Sequence, residues 1–262
     1  MEAVSHLPFM QALFREYDEL TLPVHGLLSA QDKPDGSAVT RADRDASALV
    51  TARLEAYTPS AGIISEEEEQ PVRAEAAWLW AVDPLDGTAS FARALPVWGL
   101  GIGLLRAGDP VAGYLRFPAI RQTFTFEHGV ALANGRPLAP REHAVTADTR
   151  NIMITAVHDY VDVRRLRSCR IHNLGSNLYH LLMLGFGHCE AIITGPCYLW
   201  DLAAALPFTR SAGCIERYLD GSALDLARLL AGDHGFPIRQ PLVIGPPSTV
   251  DWILAELRYQ QV

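Results

Sequence analysis

The segment that most constrains this chain is Trp80-Ala81-Val82-Asp83-Pro84-Leu85-Asp86-Gly87-Thr88-Ala89-Ser90-Phe91. An apolar run from Ala76 to Val82 stops at two carboxylates separated by Pro-Leu. Ionised carboxylates that close repel each other and resist desolvation, so a buried strand that ends in two of them calls for a counter-charge. A divalent cation supplies one. Pro84 fixes one backbone angle, so Asp83 and Asp86 can face one centre, and the Leu85 carbonyl can join them. Gly87 and Thr88 then offer backbone N–H groups at a helix start, where a phosphate oxygen is favoured. On this segment alone the other reading is a strand, a tight turn and an N-capping Asp.

Two further acidic segments weigh against that plainer reading. Ile63-Ile64-Ser65-Glu66-Glu67-Glu68-Glu69 is a second apolar run ending in acids, and Leu199-Trp200-Asp201-Leu202-Ala203-Ala204-Ala205 places an Asp at the start of an Ala-rich helix. Taken singly, four glutamates read as a solvated loop and Asp201 as an N-cap. Upstream stands Lys33-Pro34-Asp35-Gly36-Ser37-Ala38-Val39-Thr40-Arg41-Ala42-Asp43, and downstream Gly175-Ser176 precedes another helical pattern.

In this order, the segments resemble the inositol monophosphatase family of metal-dependent, lithium-sensitive phosphatases. That family's pattern is a Glu-Glu pair, then Asp-Pro-Ile/Leu-Asp-Gly-Thr, then Trp-Asp-x-Ala-Ala far downstream. The likeness runs over roughly residues 30 to 222. It implies that Glu66, Asp83, the Leu85 carbonyl, Asp86 and Asp201 are metal ligands, with two or three Mg²⁺ per site. It implies that Asp43 and Thr88 orient the attacking water, with Glu66 also on the catalytic side. Asp86, Gly87, Thr88, Gly175, Ser176, Thr194 and Asp201 would contact substrate. The fold implied is a layered αβαβα sandwich, with an α+β N-terminal half (1–145) holding most ligands and an α/β C-terminal half (146–262) supplying Asp201. Oxygen-only ligands suit Mg²⁺. Such ions neutralise a phosphate monoester dianion, which otherwise repels its nucleophile, and no covalent intermediate is needed.

Composition narrows the partners. The 262-residue chain carries 22 Lys+Arg against 30 Asp+Glu, a formal charge of −8. No Lys/Arg-rich run exists to neutralise a nucleic acid polymer. No 18-residue apolar stretch suggests a membrane span, and the first residues lack a signal-peptide pattern. Cys169, Cys189, Cys197 and Cys214 match no zinc spacing, so buried free thiols and a cytoplasmic location are expected. The family likeness adds a homodimer as an expectation. Lys33 is the only lysine in the chain and falls inside the upstream motif. A compact ammonium is not interchangeable with guanidinium, and this predicts that Lys33 faces the acidic site.

Periodicity predicts helices over Leu7–Ser29 and Asp43–Tyr57, then strands over Val97–Leu105, Pro110–Arg116 and Gln122–Glu127, with a hairpin turn at Asn134-Gly135. Further on it predicts a strand over Ile152–Val157, helices over Val161–Ser168 and Ser176–Phe186, a strand over Cys189–Thr194 and a helix over Trp200–Ala212. A strand over Leu242–Gly245 and a helix over Val250–Tyr259 close the chain.

The departures concern substrate. Inositol-specific members of the family resembled carry a Glu seven positions before the Trp-Asp aspartate; here Thr194 stands there and gives up a charge-assisted bond. The upstream motif is more similar to the 3′-phosphoadenosine 5′-phosphate and histidinol-phosphate branches, while Phe91-Ala92-Arg93-Ala94-Leu95-Pro96 leans toward inositol or histidinol phosphatases. Pro207 interrupts the last acidic helix. His172 and His180 flank Gly175-Ser176 and are candidates to touch substrate. The expectation is therefore a Mg²⁺-dependent phosphomonoesterase acting on a small phosphate ester. A 3′(2′),5′-bisphosphate nucleotidase or a histidinol-phosphate phosphatase is the alternative, and a regulatory binding protein retaining the fold is a third reading.

Overall fold

The computed structural model describes residues 4–32, 38–68, 73, 76–138, 150–155, 160–232 and 236–258. The chain opens with α1 (Leu7–Thr21), a short antiparallel pair β1 (Gln31–Asp32) and β2 (Ala38–Val39), and α2 (Arg41–Tyr57). A seven-stranded sheet follows, in spatial order β3 (Gly62–Ser65), β4 (Trp78–Asp86), β5 (Gly99–Arg106), β6 (Asp109–Phe117), β7 (Gln122–Glu127), β8 (Val130–Ala133) and β9 (Arg136–Pro137). The one-turn helix α3 (Thr88–Ala92) leaves β4 directly.

The second half contributes β10 (Arg150–Thr155), β11 (Cys169–His172), α4 (Asn177–Gly185), β12 (Ala191–Thr194), β13 (Cys197–Tyr198), α5 (Trp200–Ala203), α6 (Leu206–Ser211), β14 (Ile215–Tyr218), α7 (Leu226–Leu230), β15 (Pro237–Ile238), β16 (Leu242–Gly245) and α8 (Pro247–Arg258). Its five-stranded sheet runs β11-β10-β12-β16-β14, with β11, β10 and β12 parallel.

Three apolar clusters define the layers. One joins α1 and α2 to the outer face of the first sheet through Met10, Leu13, Val50, Trp80 and Tyr114. The largest joins the inner face of that sheet, the helices α4 to α6 and the second sheet through residues such as Leu115, Leu181, Phe208 and Ile244. The third seals α8 against the second sheet through Val243, Val250 and Ile253. The order helix, sheet, helix, sheet, helix is the αβαβα sandwich that the motifs imply.

Glycines decide how closely the middle helices approach. A Cβ at Gly103 would stand 2.6 Å from the Ala203 carbonyl carbon, and one at Gly113 would stand 1.9 Å from the Ala204 oxygen. Only bare backbone on β5 and β6 lets the Ala203-Ala204-Ala205 turn lie flat on the first sheet, and that contact carries Asp201 toward the end of β4.

Several predicted elements shift. The first helix stops at Thr21, not Ser29; Leu22–Val24 tightens into a 3-10 turn at Pro23, which cannot donate a helical hydrogen bond. Its buried face is Met10, Leu13, Phe14 and Tyr17, while Phe9 stacks on Tyr57. The helix predicted over Val161–Ser168 is a single 3-10 turn, Val163–Arg165, capped by Asp162, with Val161 and Leu166 on either side of it buried in the third apolar cluster. The helix predicted over Trp200–Ala212 is split into α5 and α6, and Pro207 begins the second piece, where its missing N–H costs nothing. The last helix begins at Pro247 rather than Val250 for the same reason. Asn134 and Gly135 have φ of 49° and 74°, the geometry of the predicted tight hairpin. The boundary at 145/146, Val157 and Tyr259 lie outside the described residues.

Candidate active site

Each acidic segment reaches the site from its own element. Glu66 follows β3, Asp83 and Asp86 end β4, and Asp201 sits in the first turn of α5. One carboxylate oxygen from each of Glu66, Asp83 and Asp201 lies within 4.8 Å of the other two. Asp83 is 1% exposed. Burial, and then the charges of Glu66, Asp86 and Asp201, push its carboxyl well above the usual carboxylate range. Three acids held this close, with no basic side chain on the described wall of the cleft, form a site built for a cation. All the ligand atoms in the trio are oxygens, the donor set Mg²⁺ prefers.

Asp86 takes a different position. The pairing register with β5 shifts between Asp83 and Asp86. The Asp86 carboxylate accepts from the Ser176 hydroxyl and from the Asn177 and Leu178 amides, 3.1 and 3.0 Å away, at the start of α4. Burial raises its pKa to about 6, against the lowering effect of those three donors. Asp86 thus ties the first sheet to the second half. Ser176 is 1% exposed and is the N-cap of α4, accepting from the Tyr179 amide at 3.0 Å. The sequence put Ser176 on the substrate, but the capping geometry turns its hydroxyl inward, and Asn177 lines the cleft in its place.

Asp43 and Thr88 are brought together from residues 45 apart. The Thr88 hydroxyl donates to Asp43 at 2.7 Å and also lies 3.1 Å from the Leu85 carbonyl. Asp43 doubles as the third residue of a capping box: the Thr40 amide donates to it at 2.7 Å and the Thr40 hydroxyl at 2.5 Å. Burial raises the Asp43 pKa, and its bonds to Thr40 and Thr88 oppose the rise. With its one proton committed, the Thr88 oxygen keeps lone pairs with which to accept from a water. The Tyr17 hydroxyl donates to the Pro84 carbonyl at 3.0 Å and anchors the turn between the two aspartates to α1.

The acids and Thr88 open on a cleft of about 370 Å³, with Asp43 buried behind Thr88. The cleft wall holds Glu66, Asp83, Asp86 and Asp201, with Gly87 and Thr88 at the start of α3. Gly87 has φ of 84°, and a Cβ there would meet the Gly175 carbonyl at 2.9 Å, so the loop before α4 packs directly on the turn after β4. Gly175 and Thr194 also line the cleft. Lys33 lies outside the described residues. His172 is exposed beside Asn151, and His180 is buried on α4; neither lines the cleft.

Sequence reading missed Thr155, Asn177, Pro196 and Cys197, all of which line the cleft. Thr155 pairs in register with Thr194 at the carboxyl ends of the parallel strands β10 and β12. Ligands gather outside such strand ends, and that rule was the available signal for Thr155.

The model of the inositol monophosphatase family matches residues 9–261. A histidinol-phosphatase from Chlorobaculum parvum is 30% identical over 74% of this chain and 78% of its own length. An inositol-1-monophosphatase from Synechocystis is 30% identical over 83% of this chain and 79% of its own. A solved IMPase/NADP phosphatase complexed with Mg²⁺ and phosphate has the same fold, with a TM-score of 0.79 at 18% identity, covering 97% of this chain and 95% of that one. With that match spanning nearly the whole chain, the protein belongs to the inositol monophosphatase family and is a phosphoric monoester hydrolase.

Proposed function

We propose that this chain is a Mg²⁺-dependent phosphomonoesterase acting on a small phosphate ester whose alcohol part carries hydroxyl groups. The observation that carries the reading is the convergence of Glu66, Asp83 and Asp201 oxygens within 4.8 Å, on the same cleft as the Thr88–Asp43 pair. Glu66, Asp83, the Leu85 carbonyl, Asp86 and Asp201 are the residues that would hold the metal. A Mg²⁺ held there would supply charge to neutralise the phosphate dianion and lower the pKa of a water. Thr88, its own proton given to Asp43, could accept a hydrogen bond from an attacking water, with Asp43 behind it as the group that would take a proton. The Gly87 and Thr88 amides support the phosphate oxygens.

The described wall of the cleft carries no basic residue. Thr194 and Thr155 instead offer neutral hydroxyls. A second reading, histidinol phosphate, is favoured by the similarity to the Chlorobaculum enzyme. Lithium inhibition and a homodimer follow from the same family reading, and the four free cysteines support a reducing compartment. Among the described residues no helix is long and apolar enough to cross a membrane. The test is Mg²⁺-dependent phosphate release from myo-inositol 1-phosphate, histidinol phosphate and 3′-phosphoadenosine 5′-phosphate. Preference for the first supports the reading, and preference for the bisphosphate overturns it.

A further inference from the structure

Two neutral residues on the cleft wall, Thr155 and Asn177, are tied to a side chain that never reaches the cleft. His180, on α4, is fully buried. Its Nε2 lies 2.8 Å from the Leu174 amide. A backbone N–H only donates, so Nε2 is the bare nitrogen and the imidazole proton sits on Nδ1. Nδ1 lies 3.0 Å from the Thr155 hydroxyl, which must therefore accept. The Thr155 proton is then free for the Asn177 side-chain oxygen, 3.3 Å away. With that oxygen accepting, the Asn177 amide nitrogen faces the Asp201 carbonyl at 3.2 Å. Every donor and acceptor along the line follows from one backbone amide. Burial pushes the His180 pKa down to about 4, so the tautomer holds across the neutral range.

After these bonds, Thr155 retains one lone pair and Asn177 one N–H. A substrate hydroxyl needs one acceptor and one donor, and the two groups supply them side by side. We propose that His180 is a positioning residue that fixes Thr155 as acceptor and Asn177 as donor, and so makes the cleft read a hydroxyl on the alcohol part of the substrate. The inference rests on the phosphomonoesterase reading above and deepens it. A charged or hydroxyl-free leaving group leaves part of this pair unmatched, and an unmatched polar group in a site costs affinity.

The test is steady-state hydrolysis, with Mg²⁺, of myo-inositol 1-phosphate and p-nitrophenyl phosphate by the full chain and by His180→Leu, His180→Asn and Thr155→Val. The native enzyme should favour the inositol ester. His180→Leu and Thr155→Val should each lower the ratio of kcat/KM for the two esters about fivefold to tenfold, mostly through KM, as expected for one oriented hydrogen bond. The double variant should lose no more than either single one. His180→Asn, whose amide N–H replaces that of Nδ1, should recover the ratio. The pH profile should not move, because His180 carries no proton to the reaction. An unchanged ratio in His180→Leu and Thr155→Val, with both esters slowed alike, overturns the proposal and leaves His180 a packing residue. Equal turnover of the two esters by the native enzyme overturns it too, with the phosphatase reading intact. Only a native enzyme inert toward both esters overturns both.

Discussion

Replacing Ser176 by Ala should weaken the chain by an amount that depends on pH. The Ser176 hydroxyl accepts from the Tyr179 amide as N-cap and donates to the Asp86 carboxylate. Losing the cap costs about 1 kcal/mol. Losing a bond to an ionised carboxylate costs about 1.5 kcal/mol, at the low end because Asp86 keeps the Asn177 and Leu178 amides. At pH 8, in EDTA, the total is about 2.5 kcal/mol, or roughly 5–10 °C in Tm for a chain of this size. The pH dependence follows from Asp86, whose folded pKa of about 6 lies above its ordinary 3.8. Ser176 is the leading group that lowers it, so Ser176→Ala raises it further. A raised folded pKa contributes stability that is present below the ordinary value and lost as pH rises through the folded one. The variant therefore loses more at pH 8 than at pH 5, by about 1.4 kcal/mol for each unit the pKa climbs. Thermal melts of both proteins at pH 5 and pH 8 read this directly. An equal drop at the two pH values, or none, would refute the assignment of the Ser176–Asp86 bond.

Four further outcomes follow from the same geometry. In the metal-free protein, stability should fall as pH rises from about 4 through about 6, because Asp86 must ionise inside the fold, and Asp83, also held above its ordinary value, acts in the same direction; Mg²⁺ should reverse this, so the Tm difference between Mg²⁺ and EDTA grows across that window in scanning calorimetry. Asp83→Asn should melt higher than the native chain in EDTA at pH 8, by about 1–2 kcal/mol, yet gain no Tm from Mg²⁺ and release no phosphate. Thr88→Val should keep the melting temperature within about 2 °C while kcat falls at least about a hundredfold, measured by phosphate release. Gly103→Val should force Ala203 off β5, lowering Tm and weakening the Mg²⁺ response measured by titration calorimetry, because Asp201 moves with α5.

The parts of the site legible in the sequence are those where chemistry is local. Asp83-Pro84-Leu85-Asp86-Gly87-Thr88 announces itself because acids that end a buried strand have few other uses. Asp201 was legible as an acid opening a helix, and the Gly101-x-Gly103 spacing that admits Ala203 and Ala204 against β5 carries no signal of its own in the sequence. Asp86 read as one more ligand; its bonds to the Ser176 hydroxyl and the Asn177 and Leu178 amides at the start of α4 are what sequence spacing could not show. Thr155, Asn177 and His180 belong to no motif: their roles come from a hydrogen-bond line joining β10, the loop before α4 and α4 itself. In the fold, the strands of the first sheet were legible from alternation and from Asn134-Gly135. The Val161–Ser168 segment reads as a helix because Val161 and Leu166 are both buried, yet the chain between them makes only the single turn that Asp162 caps.

The central claim is that Glu66, Asp83 and Asp201 hold a divalent cation that phosphate hydrolysis requires. The most direct test is phosphate release from myo-inositol 1-phosphate with Mg²⁺, with EDTA, and with Asp201→Asn in Mg²⁺. The account predicts turnover in the first condition and none in the other two, with Asp201→Asn still folded. Turnover that survives EDTA, or that Asp201→Asn retains in full, would contradict it.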